Sequence, residues 1–134
     1  MHARVLLVND LPALRRLKRC LLEGAGYEVG EVADGLAALE RLRSSPMPVI
    51  VVMNTRIPGI DAGGILRAVI AEPTLQRHGF VLSTALADML PDGLGQLTSV
   101  LQVSIIAKPF TERDLLAAVA QAQHRICEPL LPSA

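Results

Sequence analysis

The chain has 134 residues, 51% of them apolar, a size at which one domain buries a core without disulfide or metal staples. Its 13 basic and 13 acidic side chains cancel, so no net field draws it onto nucleic acid or an anionic membrane. Cys20 and Cys127 are far apart and lack metal-ligand spacing, and the apolar run before Asn9 is too short for a signal sequence or a membrane span. A soluble, cytoplasmic chain is expected.

The first predicted strand is Arg4 to Val8. Asp10 is expected to cap the helix after it, with Pro12 in its first turn. Leu14, Leu17 and Leu21 recur at helical spacing, and Gly24 and Gly26 give the stop. Tyr27 to Val32 reads as a second strand, interrupted by Gly30. Asp34 and Gly35 open a second helix, with Leu39 and Leu42 facing inward, that ends before Pro46.

Val49 to Met53 is an unbroken apolar run, the pattern of a strand covered on both faces in a parallel sheet. Asn54 follows it, Gly59 serves a tight turn after Pro58, and Asp61 caps a third helix carrying Ile65, Leu66, Val69 and Ile70, stopped at Pro73. Gly79 to Ser83 is the fourth strand. Asp88 to Leu101, broken by Pro91, Gly93 and Gly95, has the loosest helical pattern. Val103 to Ala107 is the fifth strand. Thr111 and Asp114 then make a capping box for a last helix with Leu115, Val119, Ala122 and Ile126 on one face.

Five strands each followed by a helix give an α/β fold: a parallel sheet, right-handed crossovers and helices on both faces. Ligands of such sheets sit outside the carboxyl ends of the strands, so Asn9, Asp10, Asn54, Ser83, Thr84 and Lys108 are expected to come together. Lys108 follows an apolar strand and needs a partner; a structural ion pair with Asp10 is expected. Arg15, Arg16, Lys18 and Arg19 read as a solvated basic helix face, and His2, His78 and His124 stand apart without a metal or acid/base constellation.

The segments LLVNDLPALRRL, VADGLAALERL, NTRIPGIDAGG, LSTALAD and AKPFTERDLLAAV, in this order and spacing, resemble the receiver domain of bacterial two-component response regulators, from Arg4 to about His124. The resemblance implies a single-domain, flavodoxin-like, doubly wound sheet of five parallel strands in the order 2-1-3-4-5 with five helices. It places the receiver domain over residues 1–126 and a C-terminal tail over 127–134.

In the family an acidic pair after strand one and an Asp after strand three hold Mg²⁺, and that last Asp accepts the phosphoryl group. A hydroxyl residue after strand four and a Lys after strand five contact the phosphoryl oxygens. By resemblance Asp10 matches the second acid, Thr84 the hydroxyl and Lys108 the lysine. Asn9 replaces the first acid and Asn54 the phosphoryl acceptor, and Ile105 stands where the family has a Tyr or Phe switch residue. A carboxamide cannot attack phosphorus, and Asp10 as the one residual ligand leaves little affinity for Mg²⁺, so no metal or other cofactor is expected.

The implied function is that of a stand-alone, atypical receiver in a two-component phosphorelay. It would be non-enzymatic and would act by protein–protein interaction with a histidine kinase or a downstream effector. The face of helix 4, strand 5 and helix 5 is the candidate for a homodimer. Two alternatives remain open at this level: phosphorylation of another residue, such as Thr55 or Thr84, and a small-molecule-binding, flavodoxin-like module.

Overall fold

The structure, a computed structural model, describes residues 4–85 and 93–127, the side chain of Cys127 excepted. Its elements are β1 (Arg4–Val8), α1 (Pro12–Gly24), β2 (Glu28–Val32), α2 (Gly35–Ser44), β3 (Val49–Asn54), α3 (Ala62–Ala71), β4 (Gly79–Thr84), α4 (Leu94–Val100), β5 (Ser104–Ala107) and α5 (Glu112–Cys127). A short 3₁₀ turn, Pro73–Arg77, follows α3 and is not signalled by the sequence pattern. All strand pairs are parallel, in the order β2-β1-β3-β4-β5.

Alternation along the central strands sorts side chains onto two cores. Leu6, Val8, Val51 and Met53 pack with Leu39 and Leu42 of α2 and with Ile65 and Leu66 of α3. Val5, Leu7, Ile50 and Val52 pack on the other face with Leu22 of α1 and with Leu115, Val119 and Ala122 of α5. β3 and β4 each run one residue beyond the predicted ends, because backbone pairing continues through Asn54 with Ser83 and through Thr84 with Ala107. Apolar sequence stops before the ladder does.

Local chemistry sets the helix starts. Asp34 accepts from the Ala37 N–H at 2.8 Å and Asp61 from the Gly64 N–H at 2.9 Å, each holding an otherwise unpaired amide of the first turn. Thr111 and Asp114 form the reciprocal box, at 3.0 and 3.1 Å. Gly59, at φ 81°, makes the turn before Asp61.

At α1 the structure corrects two expectations. Pro12 begins the helix, so the capping position falls on Leu11, and Asp10 accepts nothing from the first turn. The side-chain oxygen of Asn9 instead accepts from the Leu11 N–H at 2.9 Å. The basic face expected to be solvated is also different: Lys18 is buried with Leu22, whereas Leu14 and Leu17 are 43% and 57% exposed. Leu22 packs against the sheet and α5, and one turn before it on the same face Lys18 lies against Phe110.

α4 occupies only the end of the predicted segment; residues 86–92 lie outside the described residues, as do 128–134 of the expected tail. Among the described residues no helix is long and apolar enough to cross a membrane.

Candidate functional site

Parallel pairing puts the ends of β1, β3, β4 and β5 at one edge of the sheet, and hydrogen bonds tie them there. Asn54 closes β3, and its side-chain oxygen accepts from the Ser83 hydroxyl at 2.7 Å. The Thr55 N–H donates to the Ser83 carbonyl at 3.3 Å, and the Lys108 N–H to the Thr84 carbonyl at 2.8 Å. The Lys108–Pro109 peptide is cis. Ser83 and Thr84 are buried.

Asn9 is only 2% exposed. Its oxygen is committed to the Leu11 N–H, and its amide nitrogen has no hydrogen-bond partner. A buried donor left unpaired costs roughly 1–3 kcal/mol, which identifies this side chain as poorly matched to its surroundings. Above it the Arg15 guanidinium donates to the Asn9 carbonyl at 2.6 Å and to Glu31 at 2.8 Å.

The ion pair expected between Asp10 and Lys108 does not form. Both residues are exposed, and no salt bridge joins them. Hydration of both groups removes the need that motivated the pairing. The buried lysine is Lys18. Its ammonium lies 5.5 Å from the centre of the Phe110 ring, within cation–π range. Burial, and then the positive charge of Lys108, lower its pKa to about 8 from the ordinary 10.5. No carboxylate among the described residues pairs with it.

The basic face of α1 is therefore not simply solvated. Arg15 and Arg19 both bind Glu31 of β2, and Arg19 also binds Glu23 at 3.1 Å. Hydrogen bonds from Arg19 and Arg15 hold the Glu31 carboxyl below its usual range. An acid on the strand next to a basic helix face was the available signal for this clamp, and it needs the β1–β2 adjacency to be read.

The donor set does not suit Mg²⁺, which takes hard anionic oxygens in near-octahedral geometry. Of the three positions where the family has acids, Asp10 alone is a carboxylate, and the oxygens of Asn9 and Asn54 are already engaged by N–H and O–H donors. Among the described residues no group of three His, Cys, Asp or Glu side chains is placed to hold a metal. Lys108 is close enough to Lys18 for the two positive charges to repel.

Ile105, at the family's switch position, lies on β5 and is 37% exposed; Ile106 is the buried neighbour. His78 is fully buried and structural: its Nδ1 accepts from the Val49 N–H at 3.0 Å, and its Nε2 donates to the Leu42 carbonyl at 3.0 Å.

The family model of the response regulator receiver domain matches residues 5–120. The response regulator PleD of Caulobacter vibrioides is 32% identical over 122 residues, a match covering 89% of this chain. This chain spans only about a quarter of PleD, 26% of its length. The signal receiver domain of a Luxo repressor protein from Vibrio parahaemolyticus superposes with a TM-score of 0.81 at 18% identity, covering 100% of this chain and 99% of that one. The receiver domain of the sensor histidine kinase PA1611 from Pseudomonas aeruginosa PAO1, with a magnesium ion in its active-site cleft, superposes with a TM-score of 0.74 at 24% identity, covering 91% and 98%. The structural likenesses speak for the fold; the family match, covering all five strands and most of α5, establishes that the chain belongs to the response regulator receiver domains of two-component signalling.

Proposed function

We propose that this receiver works as a protein-interaction module whose signalling does not pass through aspartyl phosphorylation. The observation that carries the reading is the carboxamide of Asn54, engaged by Ser83, at the end of β3. The family's acceptor there is a carboxylate; an amide has no anionic oxygen, and its nitrogen lone pair is delocalised, so it does not attack phosphorus. Asn9 and Asp10 form the degenerate acidic pocket. Thr84 and Lys108 keep the phosphoryl-contact positions without a group to contact.

Output is proposed to follow the same logic. Ile105 has neither ring nor hydroxyl to reorient towards Thr84. Docking by a histidine kinase or downstream effector, or a homodimer, would use the face of α4, β5 and α5, where Ile105 and Val100 are exposed. The deciding experiment is intact-mass measurement after incubation with acetyl phosphate and Mg²⁺. The expected result is an unchanged mass; a stoichiometric, hydroxylamine-labile phosphoryl adduct overturns the reading.

A further inference from the structure

A glycine within an edge strand weakens it and packs nothing, so Gly30 in β2 calls for a reason. The space it leaves is in use: a Cβ added there would lie 2.7 Å from Nη2 of Arg41. Arg41, in the last turn of α2, extends its side chain over the strand at this point, beside a cavity of about 190 Å³. The cavity has an apolar wall of Leu6, Leu42, Pro46 and Val49. It lies where β1 and β3 begin, at the end of the sheet opposite Asn54.

Two cations line the cavity, and they differ. Arg4 is bound to Glu28 at 3.1 Å. The Arg41 guanidinium makes no hydrogen bond or ion pair with any described residue. The guanidinium thus borders a hollow with an apolar wall and a side formed by Ser44 and Ser45, its donors unpaired among the described residues.

We infer that this cavity binds a small organic monocarboxylate. The planar guanidinium of Arg41 takes the carboxylate through two parallel hydrogen bonds, and the apolar wall takes the body of the ligand. A single unpaired cation balances one negative charge. The C-terminal end of α2 adds partial negative charge nearby, which works against a dianion such as a phosphate ester. At interior packing density the volume holds roughly nine or ten non-hydrogen atoms, the size of benzoate.

The test is a backbone-amide NMR titration of the whole chain with benzoate, and in parallel with acetate, benzamide and inorganic phosphate. Saturable benzoate shifts are expected at Leu6, Gly30, Leu42 and Val49. Arg41→Gln, an exposed change, should weaken benzoate about tenfold or more, as loss of a charge-assisted pair does. Gly30→Ala should do the same, because its Cβ displaces only the mobile end of Arg41 and leaves the fold intact. Benzamide, acetate and phosphate should each bind at least about tenfold more weakly than benzoate. The inference is overturned by the absence of saturable shifts at the cavity, by unchanged affinity in either variant, or by any of the three comparison ligands binding as tightly as benzoate.

Discussion

Ser83 donates its hydroxyl hydrogen bond to the side-chain oxygen of Asn54 across 2.7 Å, and the two residues are direct partners in the register of β3 and β4. Ser83 is fully buried, so its hydroxyl needs this acceptor, and the bond ties the ends of two central strands. Ser83→Ala should destabilise the fold by about 1–2 kcal/mol. A double-mutant cycle with Asn54→Ala, read by denaturant unfolding, should return a coupling of about 1 kcal/mol. Strictly additive effects would mean that the bond contributes nothing to stability.

Lys18 makes a second prediction. Its folded pKa of about 8 lies below the ordinary 10.5, so between these values the unfolded chain holds a proton that the folded chain has released. Stability therefore rises as the pH goes from about 8 to about 10.5, and below 8 the full cost of burying the ammonium is present. The shift corresponds to about 3 kcal/mol at most, and partial hydration of the ammonium lowers that to about 1–2. Lys18→Met, which keeps the chain length and removes the charge, should be more stable by about that amount at neutral pH, and the gap should close towards pH ~10. Equal stability of the two proteins across that range would place the ammonium in water.

His78 gives a pH dependence on the acid side. Burial holds its pKa below the ordinary 6.5, outweighing the bond to Leu42, and neighbouring Arg77 pushes in the same direction. The Arg125 guanidinium also donates to the His78 carbonyl, at 3.1 Å. Protonating Nδ1 would set an N–H against the Val49 N–H that it now accepts. A base with a depressed pKa leaves the unfolded chain to take the proton first, so its contribution is complete above pH 6.5 and is lost as the pH falls below it. The loss should approach about 1.4 kcal/mol per pH unit for this one group. Denaturation midpoints of wild type and His78→Gln at several pH values check it: the variant should show a shallower slope below 6.5, and parallel slopes would count against the assignment.

What the sequence made legible was set by how local the physics is. Asp34, Asp61 and the Thr111–Asp114 box act within one helical turn, and all three occur as read. The sheet order came with the family pattern, and the unbroken run of β3 carried its central place. The misreadings are those that depend on which elements meet. Lys18 reads as part of a solvated basic face until α1 is seated on Lys18 and Leu22, and a lysine is not expected at such a position. Asp10 was given to Lys108 on charge alone, but both side chains reach water. Gly30 looked only like a weak point in a strand, because the arginine that fills its space comes from the next helix.

The last prediction asks whether the site can be rebuilt. Asn9→Asp replaces the unpaired amide nitrogen by an oxygen while the other oxygen keeps the Leu11 N–H, and Asn54→Asp keeps an acceptor for Ser83. Together with Asp10 they place three carboxylates at one edge of the sheet, one of them at a position only 2% exposed. Without metal, repulsion and burial should make the double variant less stable than the wild type by roughly 1–3 kcal/mol. Mg²⁺ relieves both terms, so it should raise the melting temperature of the double variant, raise that of Asn54→Asp less, and leave the wild type unchanged. With Thr84 and Lys108 already at their strand ends, the metal-bound double variant should gain one hydroxylamine-labile phosphoryl group from acetyl phosphate, seen as intact mass. The face of α4, β5 and α5 should respond little, because Ile105 has no ring to swing inward, and amide NMR of the phosphorylated variant would show this. A double variant that neither responds to Mg²⁺ nor gains mass would mean that these side chains do not act as one site, and that this chain shares the receiver fold without its pocket.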